Sequence, residues 1–131
     1  MRHKDSITVV RDWQEAANDQ DVKRLFKLSE PDIEIVGPRG SVRGRYILKD
    51  WLSNAGLTLE TLRIFARGIN VVMFQHGIWR SRETGEITGE VELATRFLVR
   101  DDHVAELARY DGDNALDLAL KEARLSCKHE I

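Results

Sequence analysis

Residues 91–99 read Val-Glu-Leu-Ala-Thr-Arg-Phe-Leu-Val, and the fold follows from their alternation. The odd positions Val91, Leu93, Thr95, Phe97 and Val99 are nearly all apolar, while the even ones carry Glu92 and Arg96. A β-strand turns successive side chains to opposite faces, so this stretch is a strand whose odd face meets a core of helices. The even face is mixed, because Ala94 and Leu98 share it with the charges. Such a face is either solvated or paired with a second copy of the chain about a two-fold axis.

The same period of two holds on both sides of this strand. Leu57–Arg67, Ile69–Arg82, Ile87–Arg100 and His103–Asp111 are rich in β-branched and aromatic residues. They are separated at Gly68, at Glu83-Thr84-Gly85-Glu86 and at Asp101-Asp102. These breaks suit hairpins and are too short for helical crossovers, which predicts an antiparallel meander.

Upstream the period is helical. Val9, Val10, Trp13, Ala16 and Ala17 form one stripe behind a possible cap at Ser6. A polar break at Asn18-Asp19-Gln20-Asp21 precedes a shorter helix carrying Val22, Leu25 and Phe26, which stops before Pro31. Asp32–Val36 alternates as a short strand, and Gly37-Pro38-Arg39-Gly40 breaks it as a turn. Ile47, Leu48, Trp51, Leu52 and Ala55 predict a third helix, closed by Gly56. A last helix follows Asp113 or Asn114, with Ala115, Leu116, Ala119, Leu120 and Ala123 on one side. Helices followed by a long meander define an α+β fold, read as a single domain over residues 1–131.

Charge excludes some partners. Twenty basic and 22 acidic side chains give a net charge of −2, without the basic excess that phosphate backbones or anionic membranes attract. Cys127 has no second cysteine to pair with, and no run approaches the roughly 20 apolar residues of a membrane span, so a cytoplasmic location is expected. His3, His76, His103 and His129 show no metal-binding spacing, and neither a P-loop nor a dinucleotide fingerprint occurs. Arg39, Arg43 and Arg45 around Gly37–Gly44 suggest a phosphate cradle, but without the Gly-Lys-Ser/Thr core a connecting turn is the expectation.

Several residues carry a family resemblance. They are Trp13, the run from Ala17 to Val22 with Leu25 and Phe26, Asp32-Ile-Glu-Ile-Val-Gly-Pro-Arg-Gly40, Gly44, the meander and Arg109-Tyr110-Asp111. Together the order of elements and these residues resemble the nuclear transport factor 2-like superfamily, in a SnoaL-like branch without an established activity. The resemblance implies a cone: a curved, mainly antiparallel sheet wrapped around the N-terminal helices, with an apolar pocket at one end. It also implies a homodimer through the back of the sheet, and a small apolar ligand bound without a cofactor.

The enzymes of that superfamily set tests. Where ketosteroid isomerases carry an Asp before a Pro, this chain has Gly37 before Pro38, and Trp13 stands where they place a Tyr. Where epoxide hydrolases place a water-activating Asp, the chain has Ala108, with Arg109 and Asp111 as the nearest acid/base pair. SnoaL-like cyclases use a pocket His or Asp, which points to His76 as a base near neutral pH. The candidate catalytic residues are therefore His76, Arg109 and Asp111, and the candidate ligand contacts are Trp13, Phe26, Val36, Trp51, Trp79, Thr95 and Tyr110. A protein-binding module using the sheet face is the third reading.

Overall fold

Two apolar surfaces on opposite sides of one sheet organise the chain, which a computed structural model describes over residues 5–37, 40–49 and 56–131. The elements are α1 (Ser6–Asn18), α2 (Val22–Lys27), β1 (Ser29–Gly37), β2 (Gly40–Arg43), β3 (Leu57–Arg67), β4 (Asn70–Arg80), β5 (Ile87–Arg100), β6 (His103–Asp111) and α3 (Ala115–Ala123). Residues 46–49 are also helical, but the rest of the helix expected at 47–55, with Trp51, lies outside the described residues. The six strands lie in the order β2-β1-β6-β5-β4-β3, and every neighbour is antiparallel except β1 with β6.

The meander is as the alternation predicts. Asp101 and Asp102, both at positive φ (50° and 64°), make the two-residue β5–β6 turn, a conformation that short acidic side chains tolerate. Register shifts fall at Thr61/Arg63 on β3, between Trp79 and Arg80 against β5, and between Leu98 and Val99 against β6. Such irregularities bend strands and raise their twist, which suits the curvature of the sheet. The stretch read as a turn is in part a strand: β2 pairs back on β1, with Gly37 opposite Gly40.

On the inner face α1 lies against Val71 and Met73 of β4, Phe97 and Val99 of β5, and Leu107 of β6. Trp13 is fully buried there, edge-on to Phe97 at 5.6 Å, and its indole N–H donates to Ser29 Oγ at 2.8 Å. The helix is capped by Asp5 rather than Ser6. The Asp5 carboxylate accepts from the Thr8 amide at 2.7 Å, while the Ser6 hydroxyl donates to the Gly68 carbonyl. An N-cap needs an extended residue whose side chain reaches forward, and Asp5 has that backbone (φ −70°, ψ 160°).

A buried polar chain ties helix to sheet. Thr95 Oγ1 donates to Gln75 Oε1 at 2.7 Å, Gln75 Nε2 donates to Gln14 Oε1 at 3.0 Å, and Gln14 Nε2 donates to Asn18 Oδ1 at 3.2 Å. The Asn18 amide then pairs both ways with the backbone of Leu59, at 2.9 Å each. β3 is an edge strand, whose outward N–H and C=O groups need partners, and Asn18 supplies them at Leu59.

The outer face is not left open along its whole length. Ala115, Ala119, Leu120 and Ala123 of α3, with Leu125, cover Phe65, Val72 and Ala94. This is the even side of β5, so α3 occupies part of the face through which a homodimer was expected. The tail is latched at its end: Arg63 grips Glu130 with two hydrogen bonds of 2.9 and 2.7 Å, and the Ile131 amide donates to the Ile64 carbonyl.

Gln75→Leu strips a partner from both Thr95 and Gln14, and a buried polar group left unsatisfied costs about 1–3 kcal/mol. Urea denaturation should show that loss, and Gln75→Leu with Thr95→Val should cost less than the sum of the single changes. Strict additivity would remove the network as a coupled unit. The Arg63 hydrogen bond holds the Glu130 carboxyl below its ordinary range. A depressed carboxyl pKa stabilises above the unfolded value and loses that effect as pH falls through the folded one. Protection of the Ile131 amide from hydrogen exchange should therefore weaken in acid, and Glu130→Gln should abolish that pH dependence.

Candidate functional site

Among the described residues, the inner face is filled by α1 at one end and left open at the other. Beyond Gln75, β4 presents Gly77 and then Trp79 to the same side, opposite Val91 and Gly89 of β5 and Leu59 and Leu57 of β3. A cleft of about 460 Å³ lies here. Leu57, Trp79, Val91, Leu93, Arg109 and Asp111 line it from the inner face, and Val36, Gly37, Ala108, Tyr110 and Leu118 continue it along β1, the other side of β6 and α3.

Two glycines shape this end. A Cβ on Gly77 would stand 3.0 Å from Leu59 and 3.2 Å from both Leu57 and Val91, so these side chains close over a position that has none. Among the described residues, a Cβ on Gly89 would meet the Trp79 ring alone, at 3.4 Å, so the indole lies across that glycine at the cleft wall. Neither glycine stood out in the sequence, where a glycine inside an alternating strand is the only signal of such close approach.

Arg109 is the basic side chain that reaches the cleft among its described lining residues. It stands opposite Thr95 in the β5–β6 register, with Asp111 opposite Leu93. It is half-buried in surface terms because the cleft reaches it, yet protein surrounds its guanidinium, and burial pushes its pKa down to about 10. At neutral pH it remains a cation. Asp111 is exposed, at the mouth.

Of the expected site residues, the fold gathers Val36, Trp79, Arg109 and Asp111 at this cleft, with Tyr110 on its border. The others go elsewhere. His76 was a candidate base for a pocket, but it shares a strand face with Val72 and Phe74, which pack under α3. It is on the outer face, where Nε2 lies 3.2 Å from Glu90 Oε1, flanked in register by Glu60 and Glu92. The reason is parity: Gln75 takes the inner side, so its neighbour cannot. Trp13 and Thr95 are fully buried and spent on Ser29 and Gln75, so they belong to the core and not to the cleft. Phe26 packs against that core, with the Arg45 guanidinium 5.5 Å above its ring.

Tyr110 also turns its hydroxyl outward. Arg96 Nε donates to it at 3.3 Å while Arg96 Nη2 donates to Glu106 Oε1 at 2.7 Å. Burial works against the charge of Arg96, but these hydrogen bonds outweigh it and hold its pKa above the ordinary value. Glu106 is thus an outer-face ion-pair partner. Among the described residues, no group of three His, Cys, Asp or Glu side chains is disposed to hold a metal ion, and no helix is long and apolar enough to cross a membrane.

With this geometry the chain can be placed by class. It has the nuclear transport factor 2-like fold, an α+β cone with a curved, mostly antiparallel sheet. An NTF2-like protein of unknown function from Cytophaga hutchinsonii is similar with a TM-score of 0.70 at 13% identity, over 89% of this chain and 97% of that one. An NTF2-like protein from Burkholderia xenovorans matches with a TM-score of 0.67 at 23% identity, over 91% and 98%. TerC co-crystallised with polyporic acid matches with a TM-score of 0.70 at 18% identity, over 88% and 98%. No family model and no curated protein matches the chain.

Gly77→Ala should destabilise the protein by about 1–3 kcal/mol, because three side chains already occupy the space. Gly89→Ala, which meets one ring edge, should be tolerated. Denaturant midpoints compare the two, and equal effects would contradict the assigned crowding at Gly77.

Proposed function

We propose that the chain binds a small, largely apolar molecule in the cleft between β3, β4, β5 and β6. The carrying observation is a cleft of about 460 Å³ whose inner wall is Leu57, Trp79, Val91 and Leu93, with Arg109 as an ionic group within it. Binding sites for small molecules commonly span about 300–1,000 Å³ and combine apolar walls with few polar groups. An indole offers a flat surface for a ring and an N–H for a hydrogen bond. That TerC, of the same fold, was crystallised with a small organic molecule agrees with this reading.

A catalytic reading now loses one of its three residues. His76 lies on the far side of the sheet from the cleft wall, beyond hydrogen-bonding reach of a molecule held there. Arg109 and Asp111 remain as the pair that a reaction in this cleft would use, on one strand face two residues apart. A two-fold contact through the outer face would have to use the part that α3 leaves open, around His76, Ile78 and Glu90.

A thermal-shift screen with fused-ring compounds tests the binding reading. Val91→Trp should fill the cleft and remove the shift, while His76→Ala should leave it unchanged. A ligand lost with His76→Ala and retained by Val91→Trp would move the site to the outer face.

A further inference from the structure

Behind the apolar wall of the cleft lies a buried amide, and a thin layer of side chains keeps the two apart. Gln75 stands two residues before Gly77 on the same face of β4, fully buried and hydrogen-bonded to Gln14 and Thr95. Gly77 has no side chain to separate that amide from the cleft. Its neighbours do so instead: a Cβ on Gly77 would stand 3.0 Å from Leu59 Cδ2 and 3.2 Å from Leu57 Cδ1 and Val91 Cγ1. Leu57 and Val91 line the cleft. Leu59 is only 6% exposed and closes the same layer from behind. Its place on the strand is fixed, because Asn18 Nδ2 donates to the Leu59 carbonyl and the Leu59 amide donates to Asn18 Oδ1, at 2.9 Å each. The last residue of α1 thus pins β3 at the residue that seals the wall.

We propose that Leu59 sets the polarity of the ligand: it keeps the Gln75 amide out of the cleft, which then selects flat molecules that enter apolar end first and hold their hydroxyl groups at Asp111. This rests on the cleft being a ligand site. A hydroxyl has a proton to donate, and burying it without an acceptor is costly. On the inner wall the backbones of Leu57, Gly77 and Val91 are taken up in pairing among β3, β4 and β5. The polar side chain there is Trp79, whose indole N–H donates and does not accept. Arg109 is already engaged within the protein and has no acceptor to give. Asp111, exposed at the mouth, offers carboxylate oxygens.

The acceptor that an inner hydroxyl lacks is close by. Gln75 Oε1 accepts from Thr95 and carries a second lone pair, but Leu57, Leu59 and Val91 stand over the intervening Gly77. Shortening Leu59 should therefore change which ligands the cleft prefers, and not merely how tightly it binds them.

Isothermal titration with 6-methyl-2-naphthol and naphthalene-2,6-diol tests this, since the two differ only in a methyl or a hydroxyl at one end. The unaltered protein should bind the methyl compound roughly ten-fold or more tightly than the diol. Any apolar surface prefers a methyl group, so the variants decide. Leu59→Ala should bring the two affinities to within about three-fold, because the second hydroxyl then reaches the Gln75 amide. Leu59→Met, which refills the space, should keep the preference. Nuclear Overhauser contacts from the 6-methyl protons should reach the methyl groups of Leu57 and Val91 and not those of Leu118, a measurement on the unaltered chain that stands even where circular dichroism shows Leu59→Ala unfolded. Equal affinity of the unaltered protein for the two compounds, or an unchanged preference in folded Leu59→Ala, would overturn the role of Leu59 and leave the cleft as a binding site. Contacts from the 6-methyl to Leu118 alone would overturn the orientation, and binding of neither compound would remove the inference together with the reading it rests on.

Discussion

The seat of α1 on the inner face of the sheet is the constraint on which the remaining features depend. Apolar contact alone would let the helix slide along Val71, Met73 and Phe97, because hydrophobic burial has no direction. The chain Thr95–Gln75–Gln14–Asn18 adds direction, since each buried amide has one arrangement that satisfies its neighbours. It joins the helix to two central strands and, through Asn18, to the backbone of edge strand β3. With the helix held there, Trp13 is sealed beneath it, and α1 leaves the opposite end of the inner face to the cleft. The cleft is the part of the cone that α1 does not reach.

The sheet has apolar groups on both sides, and the two sides are treated differently. The inner side carries large residues matched to α1. The outer side carries a smaller patch around Phe65, Val72 and Ala94, and the alanine-rich face of α3 fits it because small side chains let helix and sheet approach closely. Away from α3 the outer face turns polar, with His76 among Glu60, Glu90 and Glu92 and with Arg96 joined to Glu106.

Sequence reasoning found the strands and left open which face of β4 looks inward, for one physical reason. Alternation along β5 told which residues share a face and, because one set is plainly apolar, which face is buried. Along β4 both sets are apolar: Val72, Phe74 and Ile78 on one side, Val71, Met73 and Trp79 on the other. Periodicity then groups His76 with the first set and is silent on which set looks into the cone. Gln75 is fully buried on the inner side, and its partners Gln14 and Thr95 come to it from distant parts of the chain.

By itself the amino-acid sequence determined the α+β order, the hairpin turns, the helical stripe from Val9 to Ala17 and the resemblance to one fold superfamily, because these are local patterns set by the geometry of helix and strand. Tertiary structure alone decided that Trp13 and Thr95 are sealed in the core, that His76 faces outward, and that Trp79, Leu93 and Arg109 meet around one cleft. Those outcomes depend on which face of a two-sided strand the helix chooses, and that choice is made by contacts between residues some sixty positions apart, as between Gln14 and Gln75.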